Sequence, residues 1–308
     1  MSPYLWMMLL SAAVCALLYA LLLPAPAGKR AAQAGLSLVL GAALGLAGAK
    51  LLYMLLEFDY VKGQGLAEFW RSVEPDMLSF YGGVGGVILA VFLASKLARV
   101  PAKTALDAFA VPGALMLAMA RFAEFHLGLI GVGNYMDPEE SPFCFFPVAV
   151  TNEWDEWYLA VFMLEGAVAL VIALLAFLRR RSWDLPYTLF WLCLTQIFCE
   201  SLRAQSITWL FVRWEQLLCF LVAEGIMIAA ARKRPKRVRL FRLPPIAGLV
   251  LAALVVAEEF ALDKTNIPHW ITYTLMILEI AAVGTLEAAA RRRAGAFMPG
   301  GAGKTVSP

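Results

Sequence analysis

Apolar residues occupy long, nearly unbroken runs along the chain, and polar residues gather in the stretches between them. Runs long enough to cross a bilayer, about 17 to 25 residues, can be read at 4–24, 33–56, 79–97, 105–125, 156–178, 185–203, 208–231, 243–261 and 270–290. This pattern predicts an all-α, polytopic membrane protein with about nine transmembrane helices. The first run is followed by Ala25-Pro26-Ala27, which has the small residues of a signal-peptide cleavage site. It lacks a preceding basic residue and exceeds the usual apolar core of about 7 to 15 residues, so a retained helix is expected instead.

Charge orients these helices. Lys29 and Arg30 follow the first run, and Lys96, Arg99 and Lys103, Arg179 to Arg181, Arg232 to Arg242 and Arg291 to Arg293 fall in alternate connections on the same side. The positive-inside rule makes that side cytoplasmic, with the N-terminus outside and the C-terminus in the cytoplasm. The other connections are acidic: Glu57 to Asp76, then Asp137 to Glu156, then Glu258, Glu259 and Asp263.

Composition agrees, with 61% hydrophobic and 16% charged residues among 308, against about 45–50% and about 25% in soluble domains. A net charge of +3 then reflects topology and gives no reason to expect nucleic acid; membrane lipids are the natural partners of the basic loops. Cys15, Cys193, Cys199 and Cys219 lie in apolar runs, Cys144 lies in an outer loop, and no metal-ligand spacing connects them or the two histidines, His126 and His269. A histidine-based metal site is not expected.

No internal repeat divides the chain into matching halves, which disfavours a secondary transporter. The outer loop at 126–155 is rich in aromatics and should rest on the membrane surface. The basic run Arg232-Lys233-Arg234-Pro235-Lys236-Arg237 reads as a boundary. It separates a seven-helix core (1–231) from a basic linker with two further helices (232–293), and a terminal segment, 294–308, is expected to be disordered.

Four polar groups stand inside the expected spans: Lys50 with Tyr53; Ser79-Phe80-Tyr81-Gly82-Gly83, followed by Gly85-Gly86; Arg121 with Glu124; and Gln196, Glu200 and Arg203. Spacings of three and four put the members of each helical group on one face. A charge at mid-depth costs roughly 2.5 to 3.5 kcal/mol on insertion scales, so such residues face a cavity or a partner. All four lie in the outer half of their spans and could converge on one cavity. Two arginines can hold a phosphate through forked donors, and glycines at a helix start allow backbone to approach an anion. The same residues also have structural readings: Arg121 and Glu124 as an ion pair that fixes packing, Lys50 snorkelling, the glycines as helix contacts, and Gln196 and Glu200 as interhelical hydrogen bonders.

In order and spacing, over about residues 35 to 230, these groups resemble the bacterial prolipoprotein diacylglyceryl transferases. The family segment Gly-Gly-Arg-Leu-x-Tyr is matched by Gly48-Ala49-Lys50-Leu51-Leu52-Tyr53, and Ser-Phe-His-Gly-Gly by Ser79-Phe80-Tyr81-Gly82-Gly83. Gly-Arg-x-Gly-Asn-Phe is matched loosely by Ala120-Arg121-Phe122-Ala123-Glu124-Phe125, and Arg-Phe-x-x-Glu-x-x-Arg by the segment from Gln196 to Arg203. The resemblance implies a multi-pass protein of the bacterial inner membrane that moves the diacylglyceryl group of phosphatidylglycerol to the lipobox cysteine of preprolipoproteins. It implies neither a metal nor a soluble cofactor, and Arg121, Tyr81 and Glu124 are then the expected catalytic residues. Lys50, Tyr53, Gly82, Gly83, Gln196, Glu200 and Arg203 are expected to bind substrate, with Arg203 paired to Glu200.

Several positions depart from the family pattern. Tyr81 replaces histidine, Glu124 replaces asparagine, Gln196 replaces arginine, and Leu127 and Leu129 stand at the Asn and Glu of Asn-Gly-Glu. Asp155-Glu156-Trp157-Tyr158 occupies the place of a His-Pro-x-Gln-Leu-Tyr-Glu segment. Either Glu124 has taken over a base role, or the chain is a divergent, non-catalytic binder of lipid headgroups on the same scaffold.

Overall fold

The computed structural model describes residues 3–297 apart from 181, 205, 210–211, 235–238 and 266. Arg181, Pro235, Lys236 and Arg237 of the basic connections therefore lie outside the described residues, as do 298–308 of the expected tail. Its first residues, 294–297, instead continue the last helix.

Among the described residues, eleven α-helices are present in the order α1 (Pro3–Leu22), α2 (Ala27–Leu56), α3 (Phe58–Gln64), α4 (Leu66–Arg71), α5 (Phe80–Leu97), α6 (Ala102–Ala123), α7 (Val161–Leu178), α8 (Leu185–Ser201), α9 (Trp214–Lys233), α10 (Leu243–Lys264) and α11 (His269–Phe297). Eight of them are long and apolar enough to cross a membrane. With α8, at 17 residues, the described residues hold nine long helices, and the chain is an all-α, polytopic membrane protein. Glu258 and Glu259, grouped by sequence with an outer loop, lie within the last turns of α10.

Two stretches expected to be helical begin as strands. β1 (Tyr135–Met136), β2 (Ala149–Thr151) and β3 (Trp157–Leu159) form an antiparallel sheet in the order β1-β3-β2, with Val150 opposite Tyr158 and Tyr135 opposite Tyr158 on the other side. The turn between β2 and β3 is organised by Asn152, whose Oδ1 accepts from the amides of Trp154 and Glu156. This local hydrogen bonding competes with helix and delays α7 to Val161. β4 (Thr208–Trp209) and β5 (Val212–Arg213) pair antiparallel before α9.

The chain divides into two compact units, described in turn: residues 1–188 with 203–207, and 189–202 with 208–308. In the first, α2 packs along α5, α1 on α6, and α6 on α7. The α2–α5 seam depends on glycine. A Cβ at Gly82 would overlap the Gly48 carbonyl oxygen, and one at Gly86 would overlap that of Leu44, whereas Gly85 faces open space. Such small residues let backbones touch where lipid supplies no hydrophobic drive between helices. At the other end of these helices the buried Gln33 amide donates to Tyr19 Oη at 3.0 Å and to the Val91 carbonyl at 3.2 Å, while Tyr19 donates to the Ala105 carbonyl at 3.1 Å. One side-chain chain thus joins α1, α2, α5 and α6.

In the second unit α9 packs on α10 and α10 on α11. Gln216 Nε2 donates to Glu259 Oε1 and Ser201 Oγ, each at 2.8 Å, and to the Ile197 carbonyl at 3.1 Å. Arg234 holds Glu287 through both terminal nitrogens.

Overpacking a tight contact costs about 1–3 kcal/mol, while alanine is the better helix former by about 1 kcal/mol. Gly82→Ala and Gly86→Ala should therefore each destabilise the protein by roughly that overpacking cost, and Gly85→Ala should be neutral or stabilising. Thermal unfolding in detergent micelles measures the difference.

Candidate functional site

Helix α6 carries Arg121 in its last turn and passes directly into a single 3-10 turn, Glu124–Leu127, which brings Glu124 back beneath it. The Arg121 Nη1 donates to Glu124 Oε1 at 2.6 Å. A second carboxylate comes from α7: Glu165 Oε2 lies 2.7 Å from Arg121 Nε, an ionic contact that does not meet hydrogen-bond geometry. Arg203 reaches the same carboxylate from the segment after α8, donating from Nε to Oε1 at 3.0 Å and from Nη2 to Oε2 at 2.7 Å. Its backbone is fixed by a bridge to Gly133 and by the Ala204 amide, which donates to the Val132 carbonyl at 3.1 Å.

The result is a buried cluster of two guanidiniums and two carboxylates. Arg121 and Glu165 are each 2% exposed and Glu124 is 7% exposed. Removing such ions from water costs several kcal/mol apiece, which close opposite charges must offset, and the balance of two against two leaves no net charge. The Arg121 guanidinium carbon also sits 3.7 Å from the centroid of the Phe80 ring, a desolvated cation–π contact. Among the described residues, Arg121 Nη2 and Glu124 Oε2 are buried without a hydrogen-bond partner. Gly131, at φ +75°, admits the Glu124 carboxylate: a Cβ there would stand 2.7 Å from Oε2.

Tyr81, next to Phe80 in the first turn of α5, is within electrostatic reach of Arg121. Tyr4, at the start of α1, is within reach of both Glu124 and Arg121. In the adjoining sheet, a hydrogen bond from the Tyr158 hydroxyl to Glu156 at 3.1 Å raises the tyrosine pKa, so this group stays protonated.

The other expected site residues are placed differently. Lys50 is buried and donates from Nζ to the carbonyls of Phe69 at 2.7 Å and Trp70 at 3.1 Å, and also to that of Ser72. It thereby satisfies the C-terminal end of α4, as a cation at a helix C-terminus should. Tyr53 stacks on Phe69 at 6.1 Å. Gly82 lies in the α2–α5 seam, and Gly83 is spaced normally from α2. Gln196 and Glu200 belong to the second unit, where the Glu200 carbonyl accepts from Arg213 Nη1 at 2.7 Å. Arg203, for which the sequence suggests Glu200, forms its two-pronged pair with Glu165.

Sequence reasoning missed Glu165 and Tyr4. For Glu165 the signal was available: a lone carboxylate in the 18-residue apolar helix α7 is subject to the same burial cost that singled out Arg121. Nothing in the sequence marks Tyr4, because it comes near the cluster only through the packing of α1.

A model of the prolipoprotein diacylglyceryl transferase family matches residues 4–231. The chain belongs to that family. No match is found among curated proteins. Membership makes the chain, at family level, a transferase of lipoprotein biosynthesis acting on lipid and prolipoprotein substrates. Every residue of the Arg121 cluster lies within the matched stretch, and α10 and α11 lie beyond it.

Removing one member of a buried ion pair costs about 3–5 kcal/mol, because the partner charge is left uncompensated. Arg121→Leu should therefore destabilise the fold by about that amount, and adding Glu124→Leu should restore most of the loss. Unfolding of both variants in detergent, compared with the parent chain, checks this.

Proposed function

We propose that the chain transfers the diacylglyceryl group of phosphatidylglycerol to the lipobox cysteine of preprolipoproteins at the Arg121 cluster. The observation that carries this reading is the buried Arg121 Nη2, a guanidinium donor with no hydrogen-bond partner among the described residues. A phosphate oxygen is a suitable acceptor for it.

The reaction breaks the bond between the glyceryl carbon and its phosphate oxygen, and forms a carbon–sulfur bond from the cysteine. Negative charge grows on the departing glycerol phosphate, and a preplaced guanidinium stabilises it without reorganisation. Arg121 donates to that oxygen, with Arg203 beside it. The cysteine proton must leave, since the thiolate is the nucleophile. Glu124 is suited to receive it, with Oε1 anchored by Arg121 and Oε2 unpartnered. Tyr81 supports the cluster from the end of α5. Lys50 and Tyr53, with Gly82, hold α2, α4 and α5 behind it.

Charge supports the placement. Arg121 lies at the end of α6 opposite the basic connection Lys96–Lys103, which is the outer side by the positive-inside rule. In the bacterial inner membrane that is the side on which an exported lipobox cysteine arrives. On this reading residues 1–231 are the transferase core, and 232–293 add a linker and two helices.

A second reading is favoured by the closure of Arg121, which is 2% exposed: a headgroup-binding protein on the same scaffold that does no chemistry. Purified protein supplied with phosphatidylglycerol and a lipobox peptide separates the two, because only the transferase releases glycerol phosphate. Losing a general base typically costs about 10²–10⁴-fold, and losing an oxyanion donor about 10²–10³-fold. Glu124→Gln and Arg121→Lys should reduce release by those factors respectively, and full activity of Glu124→Gln would remove the base role.

A further inference from the structure

We propose that Glu165 is the positioning residue of the cluster, holding Arg121 and Arg203 on one carboxylate so that both guanidiniums address the same lipid phosphate. This rests on the phosphate-binding reading above and adds a residue that neither the sequence motifs nor the family match identifies.

The geometry is specific. Glu165 Oε2 is shared, lying 2.7 Å from Arg121 Nε and 2.7 Å from Arg203 Nη2, while Oε1 takes Arg203 Nε at 3.0 Å. Two guanidiniums this close repel each other unless an anion stands between them, and Glu165 is that anion. Glu124 has a narrower part, meeting Arg121 from the turn that follows α6, three residues away. Glu165 comes from a different helix and joins two cations that are 82 positions apart in sequence.

Its own position is fixed. Gly166, the next residue, packs so closely on the Phe122 ring that a Cβ would stand 2.7 Å from Cδ1. Phe122 in turn follows Arg121, so the α6–α7 contact sets the depth of Glu165 relative to that arginine. Phe162, one turn earlier on α7, is fully buried and packs with Val132, Val150 and Ala160. The carboxylate therefore sits on a rigid element, as a group that aims others must.

A residue that acts through Arg203 should show non-additivity with it. Full-length protein in detergent micelles is assayed with radiolabelled phosphatidylglycerol and a lipobox peptide for Glu165→Gln, Arg203→Gln and the double variant. Glu165→Gln should lower kcat by about tenfold or more, with a smaller change in KM for the lipid. The double variant should lose clearly less than the product of the two single losses, and Glu165→Asp should recover part of the rate. Losses that multiply, or a wild-type kcat in Glu165→Gln, would overturn the proposal. If Glu165→Gln does not fold, Glu165→Asp takes its place in the cycle. If the parent chain shows no transfer at all, that reading fails by itself, and the same cycle is followed by binding of radiolabelled phosphatidylglycerol. There, non-additive weakening supports positioning, and unchanged or additive weakening overturns it.

Discussion

The shared carboxylate of Glu165 is the constraint on which the site depends. An arginine near the end of an apolar helix is costly, and two arginines meeting there are costlier still. Glu165 makes the meeting tolerable by standing between them, and Glu124 completes the neutralisation from the turn after α6. The cluster in turn determines what its surroundings must be. Gly131 has to lack a side chain, Gly166 has to admit Phe122, and Phe80 has to present a ring face to the guanidinium.

The remainder of the first unit holds this arrangement from behind. The glycine seam between α2 and α5 sets where Phe80 and Tyr81 emerge, because Ser79 caps α5 and donates its amide to the Ala49 carbonyl of α2 at 3.1 Å. Lys50 ties the same stretch of α2 to the end of α4. These residues match family motifs, yet their contacts are architectural. The family pattern thus includes residues whose contacts here join one helix to another.

Much of the fold was legible because burial in lipid demands long apolar runs, and nine such runs correspond to nine long helices among the described residues. The errors fall where apolarity does not distinguish helix from strand. Trp157-Tyr158-Leu159 and the pieces Thr208–Trp209 and Val212–Arg213 fall in runs as apolar as a helix start, but turn chemistry at Asn152 and antiparallel pairing make them strands. The short helices α3 and α4, in an acidic stretch, gave no periodic signal. Of the site, Arg121 and Glu124 were readable as neighbours on one helix, and Arg203 through its motif. The pairing of Arg203 with Glu165 was not readable, because it is made between distant segments and depends on how α7 packs against α6.

Membership of the family gives the chain its general chemistry, and the departures Tyr81, Glu124 and Gln196 make its own activity the central question. Glu124 replaces a neutral amide with an anion beside the principal cation, which makes Arg121 self-satisfied on one edge while its Nη2 is left with no partner among the described residues. The most direct measurement is the mass of a lipobox peptide after incubation with the full-length protein in phosphatidylglycerol nanodiscs. The account predicts a cysteine carrying a thioether-linked diacylglyceryl group; an unmodified peptide, with phosphatidylglycerol bound to the protein, would contradict it.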